Sequence, residues 1–112
     1  MANPIDPAIL TIANAQYELE KKLGQSPGMN IPLRHLARIK NALESLGLII
    51  QDPQGEPYNE TRTDLEASIE GQATEDLKVV SVIKPIIYLK QDQKLSLIQK
   101  GVVIAGQIVG WK

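Results

Sequence analysis

The sequence predicts an α+β fold in which a helical N-terminal segment precedes a small β domain. Two observations carry this prediction: aliphatic residues recur at helical spacing in the first 50 residues, and β-branched residues are concentrated after residue 77. A turn-rich stretch, residues 51–57, separates the two patterns. We therefore divide the chain into a helical segment at residues 1–50 and a β domain at residues 51–112.

The first predicted helix begins at Asp6 and Pro7 and ends at Gly24. An aspartate side chain accepts hydrogen bonds from the free N–H groups of a first helical turn, and proline at the first position loses no hydrogen bond. One stripe of this helix contains Ile9, Ile12, Gln16, Leu19 and Leu23. The helix is therefore expected to be amphipathic and to pack on another surface.

The second predicted helix starts at Asn30 and Pro32 and ends near Gly47. Its apolar stripe contains Leu33, Leu36, Ile39, Leu43 and Leu46. Two arrangements fit the two stripes: the helices fold back on each other as a hairpin, or each pairs with its counterpart in a homodimer. About two heptads are too few to decide between them. The candidate dimerisation residues are Ile12, Leu19, Leu36, Ile39, Leu43 and Leu46.

Two hydrophobic segments predict the sheet of the β domain. Residues 77–89 are typical of a strand, with Pro85 at a bulge, bend or edge position, and residues 95–105 are its antiparallel partner, with Gly101 as a candidate bulge. Residues 91–94 form the predicted hairpin loop. Residues 61–70 fit either a short strand or a short helix, and the structure of the wider stretch 59–76 and of the tail 106–112 is left open.

Composition and charge exclude several functions. A formal net charge of −1 lacks the basic excess of nucleic-acid-binding proteins. The absence of cysteine excludes thiolate catalysis and disulfides. No stretch has the length of a membrane span and no secretory leader is evident, so we expect a cytoplasmic protein without a membrane partner.

No pattern of catalytic or metal-binding residues stands out. The single histidine, His35, cannot form a zinc site without cysteine and is expected at the surface or in an interface. The carboxylates between residues 52 and 76 indicate a polar loop better than an acid–base pair. No phosphate-binding, dinucleotide, calcium or nucleophile motif occurs. We therefore expect a protein that is not an enzyme and has no cofactor or metal.

Short features from the second helix onward occur in a familiar order. A leucine-rich helix end at residues 43–48 is followed by Gly55-Glu56-Pro57-Tyr58, by Glu66-Ala67 and by hydrophobic strands at residues 79–88 and 97–104. This order resembles the C-terminal half of GrpE-type nucleotide exchange factors, the cochaperones of DnaK-type heat-shock chaperones. In that family the corresponding features are a leucine-rich turn, a Gly-Glu-Pro-aromatic stretch, a His-Glu-Ala element and two hydrophobic strands. Leu65 stands where the family has the histidine.

The resemblance implies a mechanical function. The β domain would bind the nucleotide-binding domain of the chaperone and favour its open, ADP-releasing state, and the helices would form a homodimer. The candidate partner-binding residues are Tyr58, Arg62, Lys84, Ile86 and Lys100. The alternative is an adaptor, assembly or structural subunit of another cytoplasmic complex.

Overall fold

The computed structural model describes residues 6–72 and 75–107. Its elements are α1 (Pro7–Gly24), α2 (Asn30–Ser45), β1 (Leu48–Gln51), β2 (Leu65–Ile69), β3 (Lys78–Lys84), β4 (Ile86–Gln91), β5 (Lys94–Gln99) and β6 (Gly101–Gly106). The predicted α+β class with an N-terminal helical hairpin is confirmed. The end of the tail, residues 108–112, lies outside the described residues.

The chain divides into two compact units. The first contains Met1–Ile50 and Tyr88–Ser96, and the second contains Gln51–Ile87 and Leu97–Lys112. One division between the units falls after Ile50, and residues 88–96 group with the helices. The reason is hydrogen bonding, since the strands form two sheets of order β1-β4-β5 and β2-β6-β3. Most of β4 thus belongs with β1, which directly follows α2.

The helix ends follow local chemistry. The carboxylate of Asp6 accepts a hydrogen bond from the Ala8 N–H at 2.9 Å, as predicted for the start of α1. At the start of α2, in contrast, Met29 occupies the cap position without a side-chain hydrogen bond, and Asn30 is already helical. After α2, Gly47 adopts a φ of 96°. Its N–H donates to the Glu44 carbonyl at 2.9 Å, which ends the helix and starts β1.

The helical hairpin buries only one residue of the predicted α1 stripe, Gln16; Ile9 and Leu23 are half-buried, and Ile12 and Leu19 are exposed. Its buried residues are Ala13, Gln16 and Tyr17 from α1 and Leu36 and Leu43 from α2. The Gln16 Nε2 donates to the Leu36 carbonyl at 3.4 Å and to the Glu20 carboxylate at 3.1 Å, so this buried amide has partners.

Four residues of the predicted dimerisation set lie at the hairpin surface: Ile12, Leu19, Ile39 and Leu46. Ala13 lies on the buried face of α1, where a small residue lets two helices approach closely. Ile12 and Leu19 lie outside this face. Leu36 and Leu43 are covered within the chain itself, so in this structure the hairpin buries them and no second copy is needed.

In the second unit, β6 is the central strand. It pairs with β3 in antiparallel orientation, as predicted, and with β2 in parallel orientation. Each predicted long strand is broken into two, at Pro85 and at Lys100. Gly101 is not a bulge, because it begins β6 and pairs with Leu65 in regular register; the irregularities lie within β3. Residues 65–69, left open by the sequence, form strand β2.

The outer edge of β3 is covered by the segment that follows the domain junction. The Tyr58 N–H donates to the Leu77 carbonyl at 2.8 Å, and the Val79 N–H donates to the Glu56 carbonyl at 2.9 Å. Because unpaired strand edges promote aggregation, this pairing protects the sheet. It also fixes the position of Tyr58 beside the beginning of β3.

Candidate partner-binding site

A cleft of about 510 Å³ opens in the second unit at the C-terminal end of β2. Three segments form its walls: the residues after the junction, strand β2, and the residues just before β3. The lining residues are Tyr58, Asn59, Glu60, Ala67, Ile69, Glu75, Asp76 and Leu77. We call this cavity the β2 cleft.

The apolar part of the β2 cleft continues the core face of the sheet. Alternate residues of a strand point to the same face, so Leu65, Ala67 and Ile69 share one side of β2. Their exposure rises along the strand, from 5% for Leu65 to 47% for Ile69. The paired β6 residues on this face are buried. The core face is therefore covered at its Leu65 end and open at its Ile69 end.

An ion-pair cluster around Arg62 holds the segment that carries Tyr58 to Glu60. The Arg62 guanidinium donates two hydrogen bonds to Asp64, at 3.0 and 2.8 Å, and one each to the Glu56 carboxylate at 3.1 Å and the Pro57 carbonyl at 3.0 Å. These bonds lower the pKa of the Asp64 carboxyl, chiefly through the hydrogen bond from Arg62, and raise the pKa of Arg62. Arg62 thus connects both ends of residues 56–64.

A local turn shapes the same segment. The Asn59 side-chain carbonyl accepts a hydrogen bond from the Thr61 N–H at 2.9 Å and another from the Thr61 hydroxyl. The Asn59 backbone carbonyl accepts a hydrogen bond from the Arg62 N–H at 3.1 Å. This Asx turn reverses the chain directly after Tyr58, and so brings Arg62 back towards Glu56.

The polar lining of the β2 cleft has one sign of charge. Glu60, Glu75 and Asp76 contribute carboxylates, and among the described lining residues none is basic. Asp76 adopts a φ of 56°, which aspartate tolerates better than most residues. In the described part of the chain no group of three or more histidine or acidic side chains is arranged to hold a metal ion. The cleft therefore offers apolar contact, an aromatic ring and a negative rim.

The predicted partner-binding residues occupy different environments. Tyr58 lines the β2 cleft and Arg62 supports its wall. Lys84 and Lys100 are exposed but do not line it. Ile86 is only 1% exposed and belongs to the core, so it cannot contact a partner directly in this structure. The structure brings Tyr58 and Arg62 together and leaves the other three outside the site.

Sequence reasoning missed most of the cleft, including Ala67, Ile69 and Leu77. One signal was present: apolar residues alternate with polar ones at Leu65, Ala67 and Ile69, as expected for a strand with one apolar face. Acidic residues surround this short pattern, and the stretch was therefore interpreted as a polar loop.

A second, shallower depression of about 350 Å³ lies on α2 of the first unit, lined by His35, Arg38, Ile39 and Ala42. His35 is exposed there. The depression lies beside the exposed Ile39, one of the predicted dimerisation residues.

Comparisons with protein-family models, with curated proteins and with solved structures found no match. The resemblance to GrpE-type factors therefore stays a prediction from the sequence. Among the helices in the described part of the chain, none is both long enough and apolar enough to cross a membrane.

Proposed function

We propose that this protein is a non-catalytic protein-binding module and that the β2 cleft is its partner-binding surface. The observation that carries the proposal is Ile69, which is 47% exposed on the same face of β2 that is buried at Leu65. Full burial of an isoleucine side chain contributes about 1.5–3 kcal/mol. A partner that covers Ile69 therefore gains binding free energy without any rearrangement of the sheet.

The chemistry of the lining supports binding over catalysis. Its side chains are aliphatic, aromatic, amide and carboxylate, and the described lining residues include no histidine, lysine, serine or cysteine. Acid–base catalysis by two carboxyl groups requires that they lie in different environments, which separate their pKa values, and that both reach one reacting atom. Carboxylates at the rim of an apolar cleft select a partner by its charge.

The partner that we propose is a DnaK-type chaperone in the cytoplasm, with ADP release as the result of binding. The support is the resemblance of residues 55–58 to the Gly-Glu-Pro-aromatic stretch of GrpE-type factors, together with the position of Tyr58 at the cleft. A protein that binds the open form of the nucleotide-binding domain more tightly than the closed form favours nucleotide loss.

Stopped-flow release of a fluorescent ADP analogue from such a chaperone tests this function. We expect faster release with the wild-type chain and a smaller effect with Ile69→Thr, which keeps a β-branched side chain but weakens the apolar contact. Glu66→Gln lies on the opposite face of β2 and should behave as the wild type. If the wild-type chain leaves ADP release unchanged, the exchange function is wrong and the adaptor alternative takes its place.

We also propose a homodimer formed through the helical hairpin. Its support is the exposure of Ile12 and Leu19 on α1, of Ile39 on α2 and of Leu46 at the C-cap of α2, each pair seven residues apart and therefore on one side of its helix. In light scattering, Ile39→Glu should reduce a dimeric mass to that of a monomer. Ala37→Glu, on the other side of α2, is the control and should leave the mass unchanged. A monomeric wild-type chain would contradict the dimer.

A further inference from the structure

We infer that the β2 cleft binds a segment of the partner protein in which a lysine or arginine flanks an aliphatic side chain. This inference rests on the proposed partner-binding function of the cleft and adds the chemistry of the bound segment. It follows from two properties of the lining: an apolar floor, and a rim of a single charge sign.

The floor of the cleft selects an aliphatic side chain. Ala67 and Ile69 continue the core face of β2, and Leu77 adds a half-buried aliphatic surface from the residue before β3. A volume of about 510 Å³ falls within the roughly 300–1,000 Å³ that is typical of sites that enclose a small ligand or a few side chains. An aliphatic side chain of the partner would bury Ile69, as Leu65 is buried at the other end of β2.

The rim of the cleft selects positive charge. Glu60, Glu75 and Asp76 are exposed, and within the described residues none of them is in an ion pair. Their negative charges therefore add at the mouth of the cleft and attract a cation over a distance of about 10 Å at moderate salt. The Tyr58 ring offers a further cation contact through its face. An acidic segment would be repelled by the same groups.

A peptide-display selection on the immobilised full-length chain tests the inference. Short random peptides are selected on the wild type, and each enriched peptide is titrated against Ile69→Thr and against a triple variant in which Glu60→Gln, Glu75→Gln and Asp76→Asn remove the rim charge. Glu66→Gln is the matched control, because it removes one exposed charge from the other face of β2. Circular dichroism establishes that every variant folds.

We expect the enriched peptides to carry lysine or arginine beside an aliphatic residue. Each rim carboxylate should contribute about threefold in affinity, and the triple variant should therefore bind about 10- to 30-fold more weakly. High salt should remove this difference. The loss caused by Ile69→Thr should persist at high salt, since the apolar contact is not screened.

Three outcomes would overturn the inference, and they separate it from the proposed function. Peptides that need Ile69 but are acidic or neutral, or that bind the triple variant as tightly as the wild type, refute the basic chemistry and leave the cleft as a binding site. Enriched peptides that never depend on Ile69 refute the proposed function of the cleft. Ile69-dependent self-association in place of peptide binding would assign the cleft to a second copy of this chain.

Discussion

The two ends of the sheet β2-β6-β3 share one apolar face but differ in packing. At the Leu65 end, a methyl group added to Gly101 would lie 2.8 Å from the Leu65 Cδ2 and 2.9 Å from the Ile86 Cγ1, so the space is full. At the Ile69 end, the same face opens into a cleft of about 510 Å³. We call these the closed end and the open end. The closed end stabilises the fold, and the open end is available to a partner.

The difference between the ends comes from what covers the face. At the closed end, apolar groups of Leu65 and Ile86 meet over Gly101. At the open end, the cleft wall that carries Tyr58 belongs to residues 56–64, which the Arg62 ion-pair cluster holds together. Polar contacts therefore hold the cleft wall, whereas apolar packing completes the closed end. Substitutions can test each half of this comparison.

The largest effect on stability is expected at the closed end. Gly101→Ala should lower the free energy of unfolding by about 1–3 kcal/mol, because the added methyl group overpacks a filled site. Urea unfolding measures the change. Gly24→Ala is the matched control: a methyl group there meets nothing within 4 Å, and alanine favours a helix, so its effect should be neutral or slightly stabilising. Equal effects of the two substitutions would contradict a closed end.

The next largest effect is expected for the cluster that holds the cleft wall. Arg62→Met keeps the aliphatic stem but leaves Asp64 without its bidentate partner, and should lower the free energy of unfolding by about 1–2 kcal/mol. Arg62→Lys should recover only part of the loss, since an ammonium group cannot make the paired bonds. Partner binding should weaken in both variants because Tyr58 loses support. Unaltered stability of Arg62→Met would refute this role.

The same cluster gives the stability a defined pH dependence. Because Arg62 lowers the pKa of Asp64 in the folded chain, the ion pair contributes above the ordinary aspartate pKa of about 3.9 and is lost as the pH falls through the lowered folded value. The difference in unfolding free energy between the wild type and Arg62→Met should therefore shrink in acid. A difference that is the same at about pH 6 and about pH 2 would exclude the ion pair as its cause.

A smaller effect on stability, but a large one on binding, is expected at the open end. Ile69→Thr should change the free energy of unfolding by less than about 1 kcal/mol, because Ile69 is already half exposed. Val103→Thr makes the same kind of change in a buried β6 residue and should cost about 1–3 kcal/mol through its buried hydroxyl. If the two substitutions lower the free energy of unfolding by the same amount, Ile69 is packed as tightly as Val103 and the open end is not open.

The smallest effect on stability is expected when the open end is partly filled. Ala67→Val adds methyl groups to a residue that lines the cleft and raises strand propensity, so stability should be unchanged or higher by up to about 0.5 kcal/mol. Partner binding should fall because the added groups occupy the floor. Thermal unfolding and a binding titration measure the two effects, and a strongly destabilised variant would show that Ala67 has no free space beside it.

The sequence predicted those elements that are determined by neighbouring residues. Asp6 and Pro7 set the start of α1 through local capping chemistry, and the helix ends at Gly24, where the sequence predicted its end. Pro85 was predicted as a bulge, bend or edge position within one strand, whereas it separates β3 from β4, which belong to different sheets. The buried face of α1 was predicted only at Gln16, because helical spacing of large aliphatic residues selected Ile12 and Leu19, whereas the buried positions beside Gln16 are Ala13 and Tyr17.

Features that depend on distant pairing could not be predicted from local patterns. Strand β2 is stabilised by parallel pairing with β6, which lies far along the chain, and its short apolar alternation within a polar stretch is too brief to distinguish a strand from a helix. For the same reason Ile69, Glu75 and Asp76 could not be assigned to one site before the fold was known. Of the predicted contact residues, Tyr58 lies at the cleft since its segment is fixed by backbone pairing with β3.

The most direct test of the account is a map of the bound partner on the two ends of the sheet. Amide chemical shifts of the full-length chain, measured by NMR during titration with a peptide selected on the wild type, provide this map. We expect the largest changes at Tyr58, Ala67, Ile69 and Leu77, with little change at Leu65 and Gly101. Changes confined to the closed end or to the helical hairpin would contradict the assignment of the β2 cleft as the partner-binding surface.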